Sequence, residues 1–582
     1  MTNHLQRGNR PDLLRRQLLE GMAILPFVLI SPPALARLTH QQTSWASGRA
    51  WTRLSVALGE RLFPVNLPDL SGEAGKRLLA NPVAVGDEAG LTQSSGWIDA
   101  WQSAPSSYAA RVRDARDVAQ VVMFAREKGV RLVIRGGGHS YHGTSCASDS
   151  LMLWTRGLDG IELHDAFVPR GSNATPVPAV SLGAGCVWGA AYDAVTRQHG
   201  RYVQGGGCTT VGVAGLIQGG GFGNFSKAYG MAAASLLEAE VVTADGAIRI
   251  VNAIRDPDLF WALKGGGGGS FGVVTRVTLR THDLPSTFGA IRFTIQARSD
   301  QTFRQLIDRF FLHYRNRLFN PHWGEQVIFT RSRKLIGEMV FQSLGEEEVR
   351  AHWADLMDFA ASDRNSFELI DPLTIHTTPA RLFWDPENMN RLIPGVMTRD
   401  TRSDTGASAF WWTGDGEQAG QMHHGMESVW LSQRFLEPDA RKALVEALFN
   451  ASRIWSVSLH FNKGIAGGSQ YARETSAETA VNPDAIDAFC LALIASSGSS
   501  GFPGVVPRPD LESARRDAEA VKNAMRALRS VCPTAGSYLY ESDFHLMEAE
   551  ERYWGTHAQE LRRLKRRYDP AGLFRVHHGI GS

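Results

Sequence analysis

Four glycine runs crowded between residues 136 and 269 restrict the fold more than any other feature: Gly136–Gly138, Gly205–Gly207, Gly219–Gly221 and Gly265–Gly269. Glycine reaches positive φ without steric cost, so a run of glycines can turn successive backbone N–H groups towards one anion. A single triplet would be explained more simply as a tight turn. Four runs in one segment instead favour a dinucleotide that crosses several loops.

An amphipathic helix and short apolar strands separate these runs. The pattern predicts a helix from Asp114 to Lys128, stopped by Gly129, and then a strand over Val130–Ile134 that leads straight into the first glycine run. The further predicted strands are Leu151–Trp154, Ala179–Leu182, Ala239–Thr243, Ile248–Val251 and Val273–Leu279.

Gly267, Gly269 and Gly272 match the spacing G-x-G-x-x-G of the dinucleotide fingerprint. That fingerprint needs a helix directly after it, because the pyrophosphate sits on the N-terminus of the helix. Here the next residues, Val273–Leu279, read as a strand. The sequence therefore predicts that these glycines are not a Rossmann fingerprint.

The chain of 582 residues is too long for one ordinary core, and its pattern changes along its length. Residues 37–100 are irregular with helical pieces, the glycine-rich part covers 101–285, and 286–530 alternates helices with strands, which predicts an α+β domain whose sheet is backed by helices. In 531–582 a strand over Tyr538–Tyr540 leads to a helix over Ala549–Tyr568. The helices predicted in the middle part are Phe303–Tyr314, Glu347–Ala361 and Arg441–Asn450, and its strands are Phe288–Ala297, Gln326–Thr330 and Ile336–Gln342.

The first 36 residues have the composition of an export signal. Basic residues precede a short apolar run from Gly21 to Ile30, and Ala34–Ala36 offers a small-x-small cleavage site. The run is too short to cross a bilayer, which argues against stable membrane insertion. The adjacent Arg15 and Arg16 resemble a twin-arginine signal, and a plain secretory signal is the alternative. Either one predicts a periplasmic or extracellular protein.

His139 closes the first glycine run, and Cys208 directly follows the second. A histidine in a turn is usually structural and a lone cysteine is usually a small core residue. Placed beside cradles for a phosphate or a ring, both can instead react with a cofactor. A metal site is a poor alternative, because two ligands lack a nearby third and fourth. A formal net charge of +2 also argues against nucleic acid as a partner.

Three motifs resemble those of the berberine-bridge-enzyme branch of the FAD-linked oxidoreductases that share the vanillyl-alcohol-oxidase fold. The segment 135–143, RGGGHSYHG, resembles their flavin-histidine motif, and 207–215, GCTTVGVAG, resembles their flavin-cysteine motif. The segment 258–272 and the tail around Tyr553–Gly555 and Asp569–Phe574 are similar to further signatures of the branch. The resemblance implies a PCMH-type FAD-binding domain over 101–285, a substrate domain over 286–530 and a C-terminal segment, 531–582, that completes the FAD domain.

By position, the resemblance implies that His139 bonds the flavin 8α-methyl carbon and that Cys208 bonds flavin C6. This assignment would use one of five cysteines and leave Cys146, Cys186, Cys490 and Cys532 free or paired. The residues expected to bind the cofactor are Arg135, Gly136, Gly137, Gly138, His139, Ser140, Cys208, Val211, Gly212, Gly215, Gly219, Gly220 and Gly221.

The catalytic base is where this chain departs from its relatives. Many members carry Tyr-x-Asn-Tyr-x-Asp in the tail, with the second tyrosine as base, whereas residues 538–543 here read YLYESD. Glu541 occupies the position of that tyrosine and is the first candidate, with Tyr540 as the second. Alternation along a strand would place Tyr538 and Tyr540 on one face and Glu541 on the other. A solvated edge residue is the alternative for Glu541.

The sequence thus predicts an oxidase with bicovalent FAD that takes hydride from a C–H bond next to oxygen or nitrogen in a small-molecule substrate. By resemblance, Val211 lies near flavin C4a, where a small side chain is associated with access of O2, although a β-branched core residue explains it equally well. A dehydrogenase with a quinone or protein acceptor and a non-catalytic exported binding protein are the alternatives. The polar groups in Leu459–Gly464 could line a substrate pocket or be satisfied within a sheet.

Overall fold

The computed structural model describes residues 44–403, 405, 406 and 408–582, which fold into helices and sheets. The export signal expected over residues 1–36 lies outside the described residues. The strands, in chain order, are β1 (Leu62–Pro64), β2 (Ser94–Trp97), β3 (Trp101–Gln102), β4 (Tyr108–Arg111), β5 (Arg131–Arg135), β6 (Ser150–Trp154), β7 (Ile161–Phe167), β8 (Val177–Gly183), β9 (Arg201–Tyr202), β10 (Leu236–Val242), β11 (Ile248–Asn252), β12 (Val273–Arg280), β13 (His282–Asp283), β14 (Thr287–Ala297), β15 (Trp323–Phe329), β16 (Lys334–Gln342), β17 (Phe367–Pro379), β18 (Met397–Arg399), β19 (Phe410–Trp412), β20 (Gln421–Ser432), β21 (Val457–His460) and β22 (Ala488–Gly498).

The α-helices are distributed along the whole described part of the chain. In chain order they are α1 (Gly48–Leu58), α2 (Gly72–Leu79), α3 (Pro82–Asp87), α4 (Ala115–Lys128), α5 (Trp188–Tyr192), α6 (Val213–Gln218), α7 (Ser226–Tyr229), α8 (Pro257–Leu263), α9 (Asp300–His313), α10 (Glu346–Ser362), α11 (Pro386–Leu392), α12 (Thr413–Gln418), α13 (Pro438–Ile454), α14 (Gln470–Ala477), α15 (Asp484–Asp487), α16 (Leu511–Arg529), α17 (Ala549–Trp554) and α18 (Ala558–Tyr568). No helix of the described part of the chain is long and apolar enough to cross a membrane.

A four-stranded sheet in the order β1-β4-β6-β5 carries the first glycine run at the end of β5. The strands β4, β6 and β5 are parallel, and α4 connects β4 to β5. The side chain of Asp114 accepts the Asp117 N–H at the start of α4, and Gly129 ends the helix with φ 63°. The helix and strand predicted in this region are confirmed.

A second sheet, in the order β11-β10-β12-β8-β7, is antiparallel throughout. Its strand β12 begins at Val273, directly after Gly272. Because no helix follows these glycines, the prediction that they do not form a Rossmann fingerprint is confirmed.

The middle of the chain builds a nine-stranded sheet in the order β17-β14-β16-β15-β21-β22-β20-β2-β3. Its helices α9, α10, α13 and α16 bury apolar residues against it, including Phe310, Trp353 and Leu448. The predicted α+β arrangement, a sheet backed by helices, is confirmed. One edge, however, comes from the segment 37–100, because β2 pairs in parallel with β20.

Residues 37–100 were expected to be irregular with helical pieces, and this expectation is only partly right. The segment supplies β1 to the first sheet and β2 to the nine-stranded sheet. These strands are only three and four residues long, too short for a recognisable alternation. They pair with distant parts of the chain, which local sequence does not encode.

The strand predicted over Tyr538–Tyr540 is wrong. This segment is a turn in which the Glu541 N–H donates to the Tyr538 carbonyl at 3.0 Å. The inferred alternation of faces fails with it, since all three side chains line one cavity. The long helix predicted after it is divided into α17 and α18 at Gly555, whose φ of 51° does not continue a helix.

A buried lysine fixes the C-terminal segment on the glycine-rich domain. Lys565 in α18 is 6 % exposed. Its Nζ donates to the Ser270 carbonyl and the Asp569 carboxylate, both at 2.7 Å, and to the Phe574 carbonyl at 2.5 Å. Asp569 also accepts the N–H groups of Leu573 and Phe574 at 2.7 and 2.9 Å. The ion pair with Asp569 lies within the tail, and the hydrogen bond from Lys565 to Ser270 joins the tail to the loop that follows the fourth glycine run.

Lys565→Met should lower the free energy of unfolding by about 3 to 5 kcal/mol, because it leaves the Asp569 charge buried without its partner. Thermal or urea unfolding of the purified protein measures this loss. Arg566→Met is the matched control, since Arg566 is an exposed neighbour on α18. Equal stability of the two variants would contradict the anchoring role of Lys565.

Candidate active site

A cavity of about 320 Å³ lies where the glycine-rich loops meet the C-terminal tail. Its walls are the loop after β5, the loop that leads into α6, the loop before β12 and two pieces of the tail. Ten residues that the sequence singled out line it: Gly136, Gly137, Gly138, His139, Ser140, Val211, Gly212, Gly215, Tyr540 and Glu541.

Two of the loops touch so closely that only glycine fits between them. A Cβ added at Gly137 would lie 2.8 Å from the Gly212 nitrogen and 2.9 Å from the Thr210 carbonyl oxygen. At Gly215 a Cβ would meet nothing within 4 Å, because this residue faces the open cavity. Bare backbone therefore forms much of the wall, which suits the close approach of a flat ring or a phosphate.

His139 lies in this wall with its Nε2 3.0 Å from the hydroxyl oxygen of Thr210. Burial lowers the pKa of His139 to about 4, so its imidazole is neutral at neutral pH. A neutral imidazole has one nitrogen with a lone pair, and that nitrogen can act as a nucleophile. The hydrogen bond to Thr210 fixes the orientation of the ring.

The same hydroxyl also connects to Cys208. The Sγ of Cys208 lies 3.8 Å from the Thr210 hydroxyl oxygen. The His139 Nε2 and the Cys208 Sγ are thus both within 3.8 Å of one oxygen, although 68 residues separate the two residues in the chain. Burial and then the charge of Asp415 raise the pKa of the Cys208 thiol well above its usual value, so the thiol is protonated.

Four of the expected cofactor residues have structural roles instead. Arg135 is 1 % exposed and donates to the carbonyls of α3 and its flank, including Ala89 at 2.9 Å. Gly219 leaves room for the Tyr540 ring, since a Cβ there would lie 2.0 Å from a ring carbon. Gly220 and Gly221 have φ of 93° and 74° and pack against Val481 and Ala232. Neither these four residues nor Cys208 line the cavity.

Glu541 faces the cavity and forms an ion pair with Lys463. The Lys463 Nζ lies 2.6 Å from both carboxylate oxygens. The side chain of Glu541 is 17 % exposed and that of Lys463 is 13 % exposed. Lys463 belongs to the polar segment Leu459–Gly464 noted in the sequence. The buried Lys227 fixes this segment by donating to the carbonyls of Gly464, Ala466 and Phe489 at 2.6 to 3.0 Å. A charged pair thus borders the cavity.

Tyr540 is a poor candidate for the base. Its hydroxyl donates to the Gly215 carbonyl at 2.8 Å and accepts the Gly268 N–H at 3.2 Å. Burial raises the pKa of Tyr540 to about 12, which disfavours the phenolate. Tyr540 therefore positions two loops of the cavity and leaves Glu541 as the carboxylate available for proton transfer.

Sequence patterns did not single out two further carboxylates near Cys208. Glu325 in β15 has a φ of 63°, and its Oε1 accepts Asn462 Nδ2 at 3.3 Å. Burial raises the pKa of Glu325 and of Asp415. Asp415 lies in α12, more than 200 residues after Cys208. Neither residue stands in a motif, so only the tertiary structure brings them to the site.

The remaining cysteines Cys146, Cys186, Cys490 and Cys532 are buried and free, and no disulfide forms among the described residues. In the same described ranges, no group of three or more His, Cys, Asp or Glu side chains could hold a metal ion.

Comparison with known proteins identifies the class of this site. A family model for an FAD binding domain matches residues 106–252, and a model named berberine and berberine like matches residues 537–581. The chain is 30% identical over 497 residues to the FAD-linked oxidoreductase notD of Aspergillus sp. (strain MF297-2), covering 82% of this chain and 72% of that protein. The two family-model matches each include residues that line the cavity.

The fold is also that of solved flavoproteins. The flavoprotein MtVAO615 of Myceliophthora thermophila C1, of the vanillyl-alcohol-oxidase type, superposes with a TM-score of 0.74 at 23% identity, over 92% of this chain and 95% of that one. Glucooligosaccharide oxidase of Acremonium strictum superposes with a TM-score of 0.63 at 18% identity, over 82% and 91% of the two chains. That oxidase is described with a 6-S-cysteinyl, 8α-N1-histidyl FAD.

Fold and site together define an FAD-dependent enzyme. The chain belongs to the berberine-bridge-enzyme-like FAD-linked oxidoreductases, a branch of the vanillyl-alcohol-oxidase superfamily with a PCMH-type FAD-binding domain. The glycine cradle around Gly137 and Gly215 fits FAD, because it offers backbone where a side chain would obstruct. A non-catalytic binding protein, one of the alternatives from the sequence, is not retained.

Proposed function

We propose that this oxidoreductase holds its FAD through two covalent bonds, from His139 to the 8α-methyl carbon and from Cys208 to C6. The observation that carries this proposal is the shared contact with Thr210, which brings the imidazole ring of His139 and the thiol of Cys208 to one oxygen. The C6 carbon and the carbon that carries the 8α-methyl group belong to the same ring, so their protein partners must be close together. The described linkage in glucooligosaccharide oxidase uses the same two residue types.

His139 is suited to this role by its geometry and its charge. Thr210 engages Nε2, so Nδ1 is the nitrogen that remains for a bond to carbon. The low pKa of His139, caused by burial, keeps the imidazole neutral and nucleophilic. The N1-histidyl linkage named for the Acremonium strictum oxidase corresponds to a bond from this ring nitrogen.

In turnover, FAD supplies the acceptor for a hydride, and the chain supplies the base. The substrate loses hydride from a C–H bond next to oxygen or nitrogen, as in an alcohol, a sugar hemiacetal or an amine. The Glu541 carboxylate takes the O–H or N–H proton as the hydride leaves. The Lys463 ammonium balances the charge of that carboxylate and orients both of its oxygens. The hydroxyl of Tyr540 holds the loops of Gly215 and Gly268 in position through one hydrogen bond to each.

We propose O2 as the electron acceptor, since Val211 lines the cavity with a small side chain. A quinone or protein acceptor is the alternative. With a substrate found by screening sugars, alcohols and amines for flavin bleaching without oxygen, the enzyme should consume O2 and form an equal amount of H2O2. Fast reduction of a quinone dye without peroxide would instead identify a dehydrogenase.

We also propose that the protein is exported, because its first 36 residues have the composition of an export signal.

The double linkage predicts that the flavin stays with the protein after denaturation. The purified protein should be yellow, and acid precipitation should leave the colour in the pellet. Changing His139→Ala or Cys208→Ala alone should leave flavin held by one bond, whereas the double variant should release all of it. Because Cys186 is buried and its thiol contacts the Gly160 carbonyl and not Thr210, Cys186→Ala is the control and should keep the flavin. Free flavin in the supernatant of the native protein would contradict both linkages.

Loss of the proposed base should slow the chemical step and leave flavin attachment intact. Glu541→Gln keeps the shape of the side chain but removes the proton acceptor, so flavin bleaching by substrate without oxygen should slow by roughly 100-fold or more. Stopped-flow absorbance measures this rate. Glu548→Gln, an exposed residue in the same segment, is the matched control and should react at the native rate. A native rate in Glu541→Gln would exclude Glu541 as the base.

A further inference from the structure

A glutamate inside a β-strand has a left-handed backbone conformation. Glu325 lies in β15 with a φ of 63°. The pairing of β15 with β16 continues through this residue, so the positive φ is not that of a turn at the end of a strand. The conformation is costly for a residue that has a side chain, and residues held in this way cluster at binding sites and active sites. The proposed proton transfer by Glu541 does not use Glu325.

The amide group that contacts the Glu325 carboxylate leaves an acceptor oxygen beside it. Asn462 Nδ2 donates to Glu325 Oε1 at 3.3 Å. The Oδ1 of the same amide is buried without a hydrogen-bond partner among the described residues, and Asn462 is only 4 % exposed. Exchanging the two amide atoms would place two acceptor oxygens together, so the contact with Glu325 fixes this orientation. A buried carbonyl oxygen of this kind requires a donor.

A second oxygen without a donor lies at the same place. Asn224 Oδ1 is buried and has no hydrogen-bond partner in the described part of the chain. Apart from chain neighbours, a Cβ added at Gly207 would have two heavy atoms within 4 Å, Asn224 Oδ1 at 3.2 Å and Glu325 Oε1 at 3.7 Å. The space in front of Gly207 is therefore open and bordered by acceptor oxygens. Because Gly207 directly precedes Cys208, this space adjoins the proposed attachment of the flavin.

The charges around this space leave it negative. The Phe461 N–H donates to the Glu325 carbonyl at 2.8 Å, which brings the segment of Lys463 alongside Glu325. The Lys463 ammonium is already paired with both carboxylate oxygens of Glu541. Burial raises the pKa of Glu325, and the charge of Lys463 lowers it only in part. A cation in front of Gly207 would therefore stabilise the ionised form of Glu325.

We propose that Asn224, Glu325 and Asn462 bind an ammonium group of the substrate. An ammonium group has three N–H donors and no acceptor, so it can donate to one oxygen of each residue, and its charge is opposite to that of Glu325. A hydroxyl group has only one hydrogen to donate.

The bound ammonium group is not the group that is oxidised. A protonated nitrogen has no lone pair to stabilise the positive charge that develops on carbon when hydride leaves. The substrate therefore carries an ammonium group in addition to the alcohol, hemiacetal or neutral amine that reacts beside Glu541. Amino sugars, amino alcohols and diamines meet this requirement. This inference rests on the proposed oxidation of a small molecule by the bound FAD.

Binding of two matched probes tests this inference without turnover. Benzylamine, which is protonated at neutral pH, and benzyl alcohol differ only in the ammonium and hydroxyl groups. The native holoenzyme should bind benzylamine about 10-fold more tightly or better, because charge-assisted hydrogen bonds in a partly buried site are stronger than neutral ones. Isothermal titration calorimetry measures both Kd values. Equal Kd values for the two probes would overturn the inference, whether or not any variant folds.

Glu325→Gln should remove the preference for the charged probe. The amide keeps the shape of the side chain and one acceptor oxygen but loses the charge, so the Kd for benzylamine should rise about 10-fold while the Kd for benzyl alcohol stays the same. Glu368→Gln is the matched control, because Glu368 is an exposed carboxylate in β17 of the same sheet, and it should keep both native Kd values. A native preference in Glu325→Gln would exclude Glu325 as the partner of the ammonium group.

The outcomes separate this inference from the proposal on which it rests. If compounds without an ammonium group bleach the flavin and the two probes bind equally, the enzyme is an oxidoreductase and only the ammonium site is overturned. If benzylamine is preferred, the preference is lost in Glu325→Gln and no compound bleaches the flavin, the site is supported and the proposed oxidation is contradicted.

Discussion

The close contact between two glycine loops is the constraint on which the rest of the site depends. Gly137 and Gly212 approach so closely that a methyl group at either position would lie within 3 Å of the other backbone. This approach sets the Thr210 hydroxyl between His139 and Cys208. A wider spacing would separate the imidazole from the thiol, and one flavin ring could then not reach both. Glycine is needed here because the absence of a side chain lets the two backbones approach closely, and not only because glycine can adopt positive φ.

The site is completed by parts of the chain that have no local reason to meet. Lys463 comes from the end of β21, Asp415 from α12 and Glu541 from the tail. Two buried lysines hold these parts of the chain together, each through several hydrogen bonds. Lys227 fixes the segment of Lys463, and Lys565 fixes the tail to the loop of Ser270. Burying an ammonium group is costly unless its protons are all satisfied, so each lysine strongly favours one arrangement of the loops around it.

Local patterns were enough to predict α4 and six strands of the glycine-rich domain, and also α9, α10 and α13 behind the nine-stranded sheet, whereas α16 was not predicted. The caps of α4, Asp114 and Gly129, and the glycine run after β5 are each encoded within a few residues. His139 and Cys208 could be selected as candidates because each lies next to such a run. The predictions that failed concern short segments and segments that pair with distant parts of the chain. The turn at Tyr538–Glu541 resembles a strand in its alternation, and β2 consists of four residues paired with β20. Gly219–Gly221 shares the composition of a cradle but packs against Tyr540, Val481 and Ala232.

Charge pairing distinguishes Glu541 from the other carboxylates near the site. Glu541 has the Lys463 ammonium group 2.6 Å from both oxygens, which holds the carboxylate in one orientation beside the cavity. Asp415 has no such cation among its hydrogen-bond contacts, and burial raises its pKa. The ion pair with Lys463 thus sets Glu541 apart from Asp415, and it is the reason why the proposed proton transfer in turnover is assigned to Glu541.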